Sequence, residues 1–542
     1  MKSKLIIIEA PGKIKTIKEN LAMTWPKSKF DVIATSGLLA DLPTDTLGIN
    51  PDTFKITKEK TKKNRKLVSE YLKKNQENWT EIWVMTDPDW EGEHIAKQLY
   101  DILQKNKINV TTRRAYCHDL SPDGLKKTIL KESPNKKILL AREARRVIDR
   151  LIPVVLAERN ESWAGYGRLQ VATLNLANKL HDEWFRYVLM GWEKVDNEYY
   201  QIDMMKSNNY ETLNYYKEIL KKPDTNKIIE QEVLILEPPK PHSLSSLIVE
   251  LKEYTPLQIA TAMQESYIEG RISYPRTESR SYPDDIKLII GSLAQDNHLN
   301  NALDSNWYKK TIRKNTIWSE SGHPALYPTL KSNTEYPVFY EKIHKDIEEK
   351  IKAQAFSSIM EDAVVEKKQI TINTNKEPIV LKKYKILKYG WLSAQERFNQ
   401  QNEFVMKPSL SKKRPVIVDS APNENMLFER IMEYKIGRPS SLPFIINKLK
   451  ENDFLSNYNI PSLKGEALLK QIKQKSLDII KPEYSAHMEE QLKEINIENY
   501  TSTIKALLMD AGFDISVLGQ IKEIATTQKV NQDLLQALDK LG

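Results

Sequence analysis

The sequence predicts a multidomain α/β protein with an N-terminal parallel sheet, a β domain that the chain visits twice, and helical blocks inside and after it. Three observations predict it. Two short apolar runs, Leu5–Ile8 and Ile82–Met85, each end at carboxylates and lead into helical periodicity, as strands covered on both faces do. Strand-like stretches within 188–238 and 366–423 flank a helical block. At 542 residues the chain has room for roughly two to four domains.

Composition narrows the class. Hydrophobic residues make up 40% and charged residues 29%, which suits packed cores rather than disorder. The net charge of +9 permits nucleic-acid binding without requiring it. A single cysteine, Cys117, excludes disulfides and Cys-based zinc sites within this chain. Leu5–Ile8 is too short for a leader core, and Leu151–Ala157 contains Pro153 and falls far short of a membrane span. The expectation is a soluble, intracellular protein.

The elements follow in order. Lys4–Ile8 reads as a buried strand with Glu9 at its carboxyl end. Pro11-Gly12-Lys13 makes a turn, and Ile14, Ile17 and Leu21 mark a helix. Glu9 and Lys13 thus emerge where open α/β sheets place their sites. Gly12-Lys13 lacks the earlier glycine and the following Ser/Thr of a phosphate-binding loop, so no ATP hydrolysis is expected. The basic run from Lys55 to Lys66 is either a solvated loop or a phosphate-contacting surface. After Ile82–Met85 comes Asp87-Pro-Asp-Trp-Glu-Gly-Glu93, then a helix through Ile95, Leu99, Ile102 and Leu103. Alternation points several of these carboxylates the same way, and their mutual repulsion asks for a cation. Oxygen-only ligands suit Mg²⁺. The competing reading is an acidic helix N-terminus favoured by the helix dipole.

Residues 141–157 form a helix bearing Arg142, Arg145, Arg146 and Arg150. Gly165-Tyr-Gly-Arg-Leu-Gln170 precedes a long helix, in which Arg168 is a surface residue or a DNA contact. Strand texture then appears at 199–203, 228–236, 369–374, 379–387 and 415–418. Pro238-Pro239-Lys240-Pro241 marks one crossing into an inserted block. There Thr255, Pro256 and Gln258 start a helix with a capping box, and Gly270 can end it in a left-handed conformation. Gly270-Arg-Ile-Ser-Tyr-Pro-Arg-Thr-Glu-Ser279 follows. Taken alone, Tyr274 beside Arg276 reads as a buried tyrosine near a surface arginine. It reads as a nucleophile only if cations stabilise the group it attacks. His323 is a core histidine or a cation for phosphate. From about residue 424 the chain is helical again.

These pieces, in this order, resemble the type IA DNA topoisomerases from Leu5 to about Ile495. Ile6–Lys13 and Asp87-x-Asp-x-Glu91 are similar to the two halves of a Toprim domain. Ala144–Arg150 and Gly167–Gln170 are similar to the family's next landmarks, and Ile272–Thr277 to its active-site tyrosine motif. His323-Pro-Ala, Gly437–Ser440 and Met488–Glu490 complete the series. The wording of Ser273–Thr277, with Tyr282-Pro283 after it, most resembles the archaeal topoisomerase III branch, with the topoisomerase half of reverse gyrase a near relative. Two positions depart: Trp90 stands where the family usually has Arg, and Leu38 where a histidine is common.

The resemblance implies a toroid of a Toprim domain (1–149), a helical DNA-groove domain (150–187 and 424–542), a β arch (188–238 and 366–423) and an inserted tyrosine domain (239–365). It implies ATP-independent topoisomerase activity through a 5′-phosphotyrosine at Tyr274, relaxing negative supercoils or decatenating. Arg276 and His323 would stabilise phosphoryl charge, Lys13 would sit near the scissile phosphate, and Glu9 would shuttle a proton. Glu9, Asp87, Asp89 and Glu91 would hold Mg²⁺. Arg168, Gln170, Thr277, Arg438, Ser440 and Trp90 would contact DNA. The implied partner is single-stranded or negatively supercoiled DNA, and the implied protein is a cytoplasmic, nucleoid-associated monomer without a membrane segment. The alternatives are a split reverse gyrase working with a helicase partner, and another Toprim enzyme, a nuclease or primase.

Overall fold

The computed structural model describes residues 2–43, 46–159, 167–184, 186–221, 227–299, 324–398, 404, 414–419, 422–437, 441–474 and 477–516. Its N-terminal part is built on a five-stranded sheet in the order β2-β1-β3-β4-β5, comprising β1 Ser3–Ile8, β2 Phe30–Ala34, β3 Trp79–Val84, β4 Thr111–Tyr116 and β5 Ile129–Lys131. The first four run parallel, and β5 is antiparallel. Leu5 and Ile7 share one core with Ile82, Val84 and Leu99, while Ile6 and Ile8 share another with Trp83 and Met85. Both faces are covered, so the strands read as continuous apolar runs. Helices α1 (Ile14–Thr24) and α2 (Trp90–Lys105) follow β1 and β3. Because β1 and β3 are neighbours, the segments Glu9–Lys13 and Asp87–Glu93 meet at one end of the sheet.

Helix α3 (Lys136–Arg159) runs on through Pro153, and α4 is Arg168–Glu183. Four later helices, Glu424–Glu433, Leu442–Glu451, Leu463–Gln474 and Pro482–Lys493, pack on α4, and Tyr500–Asp510 packs on α3. Two stretches far apart in sequence therefore make one helical body. Among the described residues, no helix is long and apolar enough to cross a membrane.

A second sheet has the order β8-β9-β10-β7-β6, with β6 Trp192–Val195, β7 Glu198–Ile202, β8 Lys227–Leu236, β9 Ala363–Ile372 and β10 Ile379–Lys388. β8 and β9 pair antiparallel from Lys227↔Ile372 to Leu236↔Ala363. The chain thus leaves the sheet at Leu236 and re-enters beside it at Ala363. Everything between hangs from two adjacent strand ends.

In that inserted body, α5 (Pro256–Ile268) begins as its sequence predicts. Thr255 Oγ1 accepts from Gln258 N, and Gln258 Oε1 accepts from Thr255 N. Gly270 ends it at φ +70°, with Arg271 N donating to Ser266 O at 3.0 Å, a left-handed stop that only glycine adopts readily. Arg271 is then buried. Its Nε lies 2.9 Å from Glu348 on α6 (Lys342–Ser357), and its Nη atoms donate to the carbonyls of Lys331, Ser332, Thr334 and Glu335. This fork ties the segment leading to Tyr274 to the body of the inserted domain.

Replacing Arg271 by Met removes the guanidinium from the buried Glu348 carboxylate and leaves it only Tyr340 and the charge of Lys352. We expect a loss of about 3–5 kcal/mol in chemical denaturation, largely recovered in the double variant Arg271→Met/Glu348→Leu.

Candidate active site

The acidic turn is held from beneath. Asp89 is the N-cap of α2, its Oδ1 accepting from Gly92 N at 2.8 Å. Gly92 packs against the Asp87 backbone so closely that a Cβ would sit 1.8 Å from the Asp87 carbonyl oxygen. Glu93 turns inward, fully buried, onto Arg114 in β4, with Nε–Oε1 2.8 Å. Arg114 also donates to the carbonyls of Val84, Thr86, Ala115 and Asp87 at 2.8–3.0 Å. The alternation of carboxylates does not put them on one face. The helix starts at Trp90, so Glu91 is exposed and Glu93 faces the core.

Lys13, at the end of the Glu9–Lys13 turn, is buried, and its ammonium bonds to Asp87 Oδ1 and lies 4.8 Å from the Tyr267 ring centre. From the inserted domain, the Tyr274 phenol donates to Asp89 Oδ2 at 2.5 Å. Its ring meets Tyr267 edge to face at 5.5 Å, and its backbone N donates to His118 O at 2.8 Å. Arg276 Nη1 also reaches Asp89 Oδ2, at 3.4 Å, while its side chain stays 37% exposed. Tyr274, Arg276, Lys13, Asp87 and Asp89 are therefore brought together by two domains.

The electrostatics are those of surplus negative charge in a poorly hydrated place. Burial, then repulsion from Asp87 and Asp89, pushes the Glu9 carboxyl up to about 8 against the pull of Lys13. Burial and the same two aspartates hold the Tyr274 phenol well above its ordinary value, with Arg276 opposing. Burial works against the Arg276 charge, but Tyr274, Asp89 and Asp87 outweigh it and raise its pKa.

No group of three or more His, Cys, Asp or Glu among the described residues is arranged to hold a metal ion. Lys13 neutralises Asp87, and the Asp89 oxygens face Gly92 N and Tyr274. The donor chemistry nonetheless fits a hard divalent cation, because every available ligand is a carboxylate oxygen, and repulsion from Asp87 and Asp89 adds to burial in raising Glu9.

Other predicted contacts fall elsewhere. Arg168 is not at the surface. It is 1% exposed and locked to Asp149 (2.9 Å) and Glu489 (3.1 Å). Gln170 Oε1 accepts from Gly167 N and so caps α4. Thr277 is buried, its Oγ1 donating to Pro324 O at 2.9 Å and accepting from Ser279 N. Trp90 is half-buried and packs on the main core, and Leu38 packs on the core beneath α2. His323, Arg438 and Ser440 lie outside the described residues. Sequence reasoning gave no site role to Arg114 or Arg142. An arginine inside an interior strand signals a buried acid partner, a signal available for Arg114. Arg142, on α3, is pushed down to about 10 by burial and by Arg146, with Glu91, Asp41 and Asp89 pulling the other way. Its charge is thus felt by Glu91 and Asp89 of the acidic turn, where the resemblance leads one to expect an arginine and the chain has Trp90.

A family model described as DNA topoisomerase matches residues 133–503, and one described as Toprim domain matches residues 4–120. The chain is 26% identical over 499 residues to DNA topoisomerase 1 of Aquifex aeolicus (strain VF5), covering 83% of this chain and 87% of that protein. Among solved structures it is similar to full-length topoisomerase I from Thermotoga maritima, with a TM-score of 0.69 at 20% identity, over 94% of this chain and 90% of that one.

The turn geometry makes a direct prediction. Gly92→Ala forces a Cβ into the Asp87 backbone and should cost about 1–3 kcal/mol by thermal denaturation. Glu91→Gln, on the exposed side, should stay within about 0.5 kcal/mol of the parent.

Proposed function

This chain belongs to the DNA topoisomerase family, and from that premise we propose a type IA mechanism: one DNA strand is cut through a transient 5′-phosphotyrosine at Tyr274, another strand passes, and the cut is resealed. The observation that carries this reading is the Tyr274 phenol, delivered by the inserted domain onto Asp89 of the N-terminal acidic turn.

The chemistry follows from what each group can do. The Tyr274 oxygen attacks the phosphorus, and its proton passes to the carboxylate it already faces, Asp89. The new P–O bond forms as the bond to the 3′-oxygen breaks. Glu9, whose raised pKa keeps it protonated near neutrality, gives that oxygen its proton. Arg276, with His323, stabilises the developing phosphoryl charge, and Lys13 holds the scissile phosphate. Asp87, Asp89 and Glu91, joined by Glu9 once it has given up its proton, would hold Mg²⁺, which would supply charge neutralisation that keeps the cut end in place for resealing. Because one phosphate ester is exchanged for another, no ATP is needed, and torsional strain drives the passage. The exposed lysines at 55, 58, 60, 62, 63 and 66 support a salt-sensitive hold on underwound DNA. The Ser273–Thr277 motif followed by Tyr282-Pro283 supports a place near the archaeal topoisomerase III branch.

Negatively supercoiled plasmid should relax with Mg²⁺ and without ATP, and chelation should stop it. Tyr274→Phe should abolish both relaxation and the covalent adduct with single-stranded DNA. Cutting that survives in Tyr274→Phe would instead identify a Toprim nuclease. Affinity for a single-stranded oligonucleotide should fall about tenfold or more between 50 and 200 mM salt.

A further inference from the structure

The seam between the inserted and N-terminal domains carries more than the nucleophile. Two extended segments of the inserted domain run side by side along it. Ile272 and Pro328 form an antiparallel bridge. Ser273 N donates to Tyr327 O at 3.0 Å, and Tyr327 N donates to Ser273 Oγ at 3.0 Å. From this pair, two bonds cross to consecutive residues in the loop after β4. Tyr274 N donates to His118 O at 2.8 Å, and the Tyr327 phenol donates to Asp119 Oδ2 at 2.6 Å.

The second bond is built from both sides. Asp119 and Tyr327 are 2% and 1% exposed. Asp119 Oδ1 is already committed to Ser121 N and Ser121 Oγ. Gly124 presses so near the carboxylate that a Cβ there would overlap Oδ1. The carboxylate is therefore fixed on the N-terminal domain and offers Oδ2 across the seam. On the opposite side, Tyr282 meets the Tyr327 ring edge to face at 6.2 Å and limits its swing. Burial, joined by Asp119, holds the Tyr327 phenol protonated and so a donor. Of the ion pairs that cross the seam among the described residues, Arg276–Asp89 belongs to the site itself, and Lys127–Asp285 at 3.0 Å lies at a rim with side chains 39% and 52% exposed, where screening leaves it little weight.

We propose that the Tyr327–Asp119 hydrogen bond is a latch that sets how often the two domains part, and that through Ser273 it registers Tyr274 over the acidic turn. Its consequence for strand passage rests on the topoisomerase reading; its effect on domain separation does not. Once the domains separate, water satisfies both groups. In the closed state, removing the phenol hydroxyl strands Asp119 Oδ2 in a dry seam, so the loss falls on the closed state alone.

Hydrogen exchange on the full-length protein, resolved to single amides, tests this. The Tyr274 amide is bonded across the seam, so its exchange reports separation. In Tyr327→Phe its protection should fall about tenfold or more, while Ile6 and Ile7 within β1 keep theirs. Asp119→Asn, which retains an oxygen for Ser121 and an amide facing the phenol, should show a smaller fall. Unchanged Tyr274 protection in Tyr327→Phe, or an equal loss in β1, overturns the latch. The same preparations are challenged with a single-stranded oligonucleotide. An exchange response without a covalent adduct in the parent overturns the topoisomerase reading and leaves the latch standing. An adduct without the exchange response does the reverse.

Discussion

The buried ion pair between Arg114 and Glu93 is the constraint on which the site depends. A guanidinium in an interior strand must satisfy its donors without water, and this one does so with a carboxylate and four backbone carbonyls. Three of those carbonyls, of Val84, Thr86 and Asp87, belong to the strand end and turn that present the acids. The pair thus immobilises a turn whose carboxylates would otherwise push apart. Gly92 completes the fit, because the backbone of Asp87 occupies the space any other side chain would need.

A rigid acidic turn on one domain then meets a tyrosine on another. Asp89 serves two ends at once, capping α2 with one oxygen and accepting the Tyr274 phenol with the other. Here structural and chemical roles coincide: the helix start that holds Asp89 in place also aims it. The inserted body is tethered through adjacent strand ends at Leu236 and Ala363, and it packs both on the N-terminal domain and, through Ile248 and Met263, on the later helices at Phe428 and Leu442. The contact with the N-terminal domain is partly apolar, with Tyr267 and Tyr274 in the main core, and partly polar, through the His118–Asp119 loop. An interface of this mixed kind is compatible with parting and re-forming in a way that a purely hydrophobic core is not.

Local signals in the chain were faithful where the physics is local. The apolar runs before Glu9 and Asp87 are the central strands, and the capping box at Thr255 and the left-handed Gly270 bound α5 as their residues require. Local reasoning failed where the backbone changed period. Alternating carboxylates share a face only on an extended chain, and here the helix begins at Trp90 and sends Glu93 into the core. It could not see either that Arg168, read as a surface residue or a DNA contact, is buried on Asp149 and on Glu489 from a distant segment, among helices of two chain segments.

By itself the sequence determined the residue types of the site, the strand ends from which Glu9 and Asp87 emerge, the interruption of the β sheet by an inserted body, and the family resemblance. Those follow from hydrophobic period, capping chemistry and motif order, which act over a few residues at a time. Only the tertiary structure decided which of those groups meet. The contacts Lys13–Asp87, Tyr274–Asp89, Arg114–Glu93 and Tyr327–Asp119 span between 21 and 208 residues of chain. Each is selected because a buried charge or hydroxyl must find a partner once water is excluded, and which partner is near is a property of the packed domains rather than of any stretch of sequence.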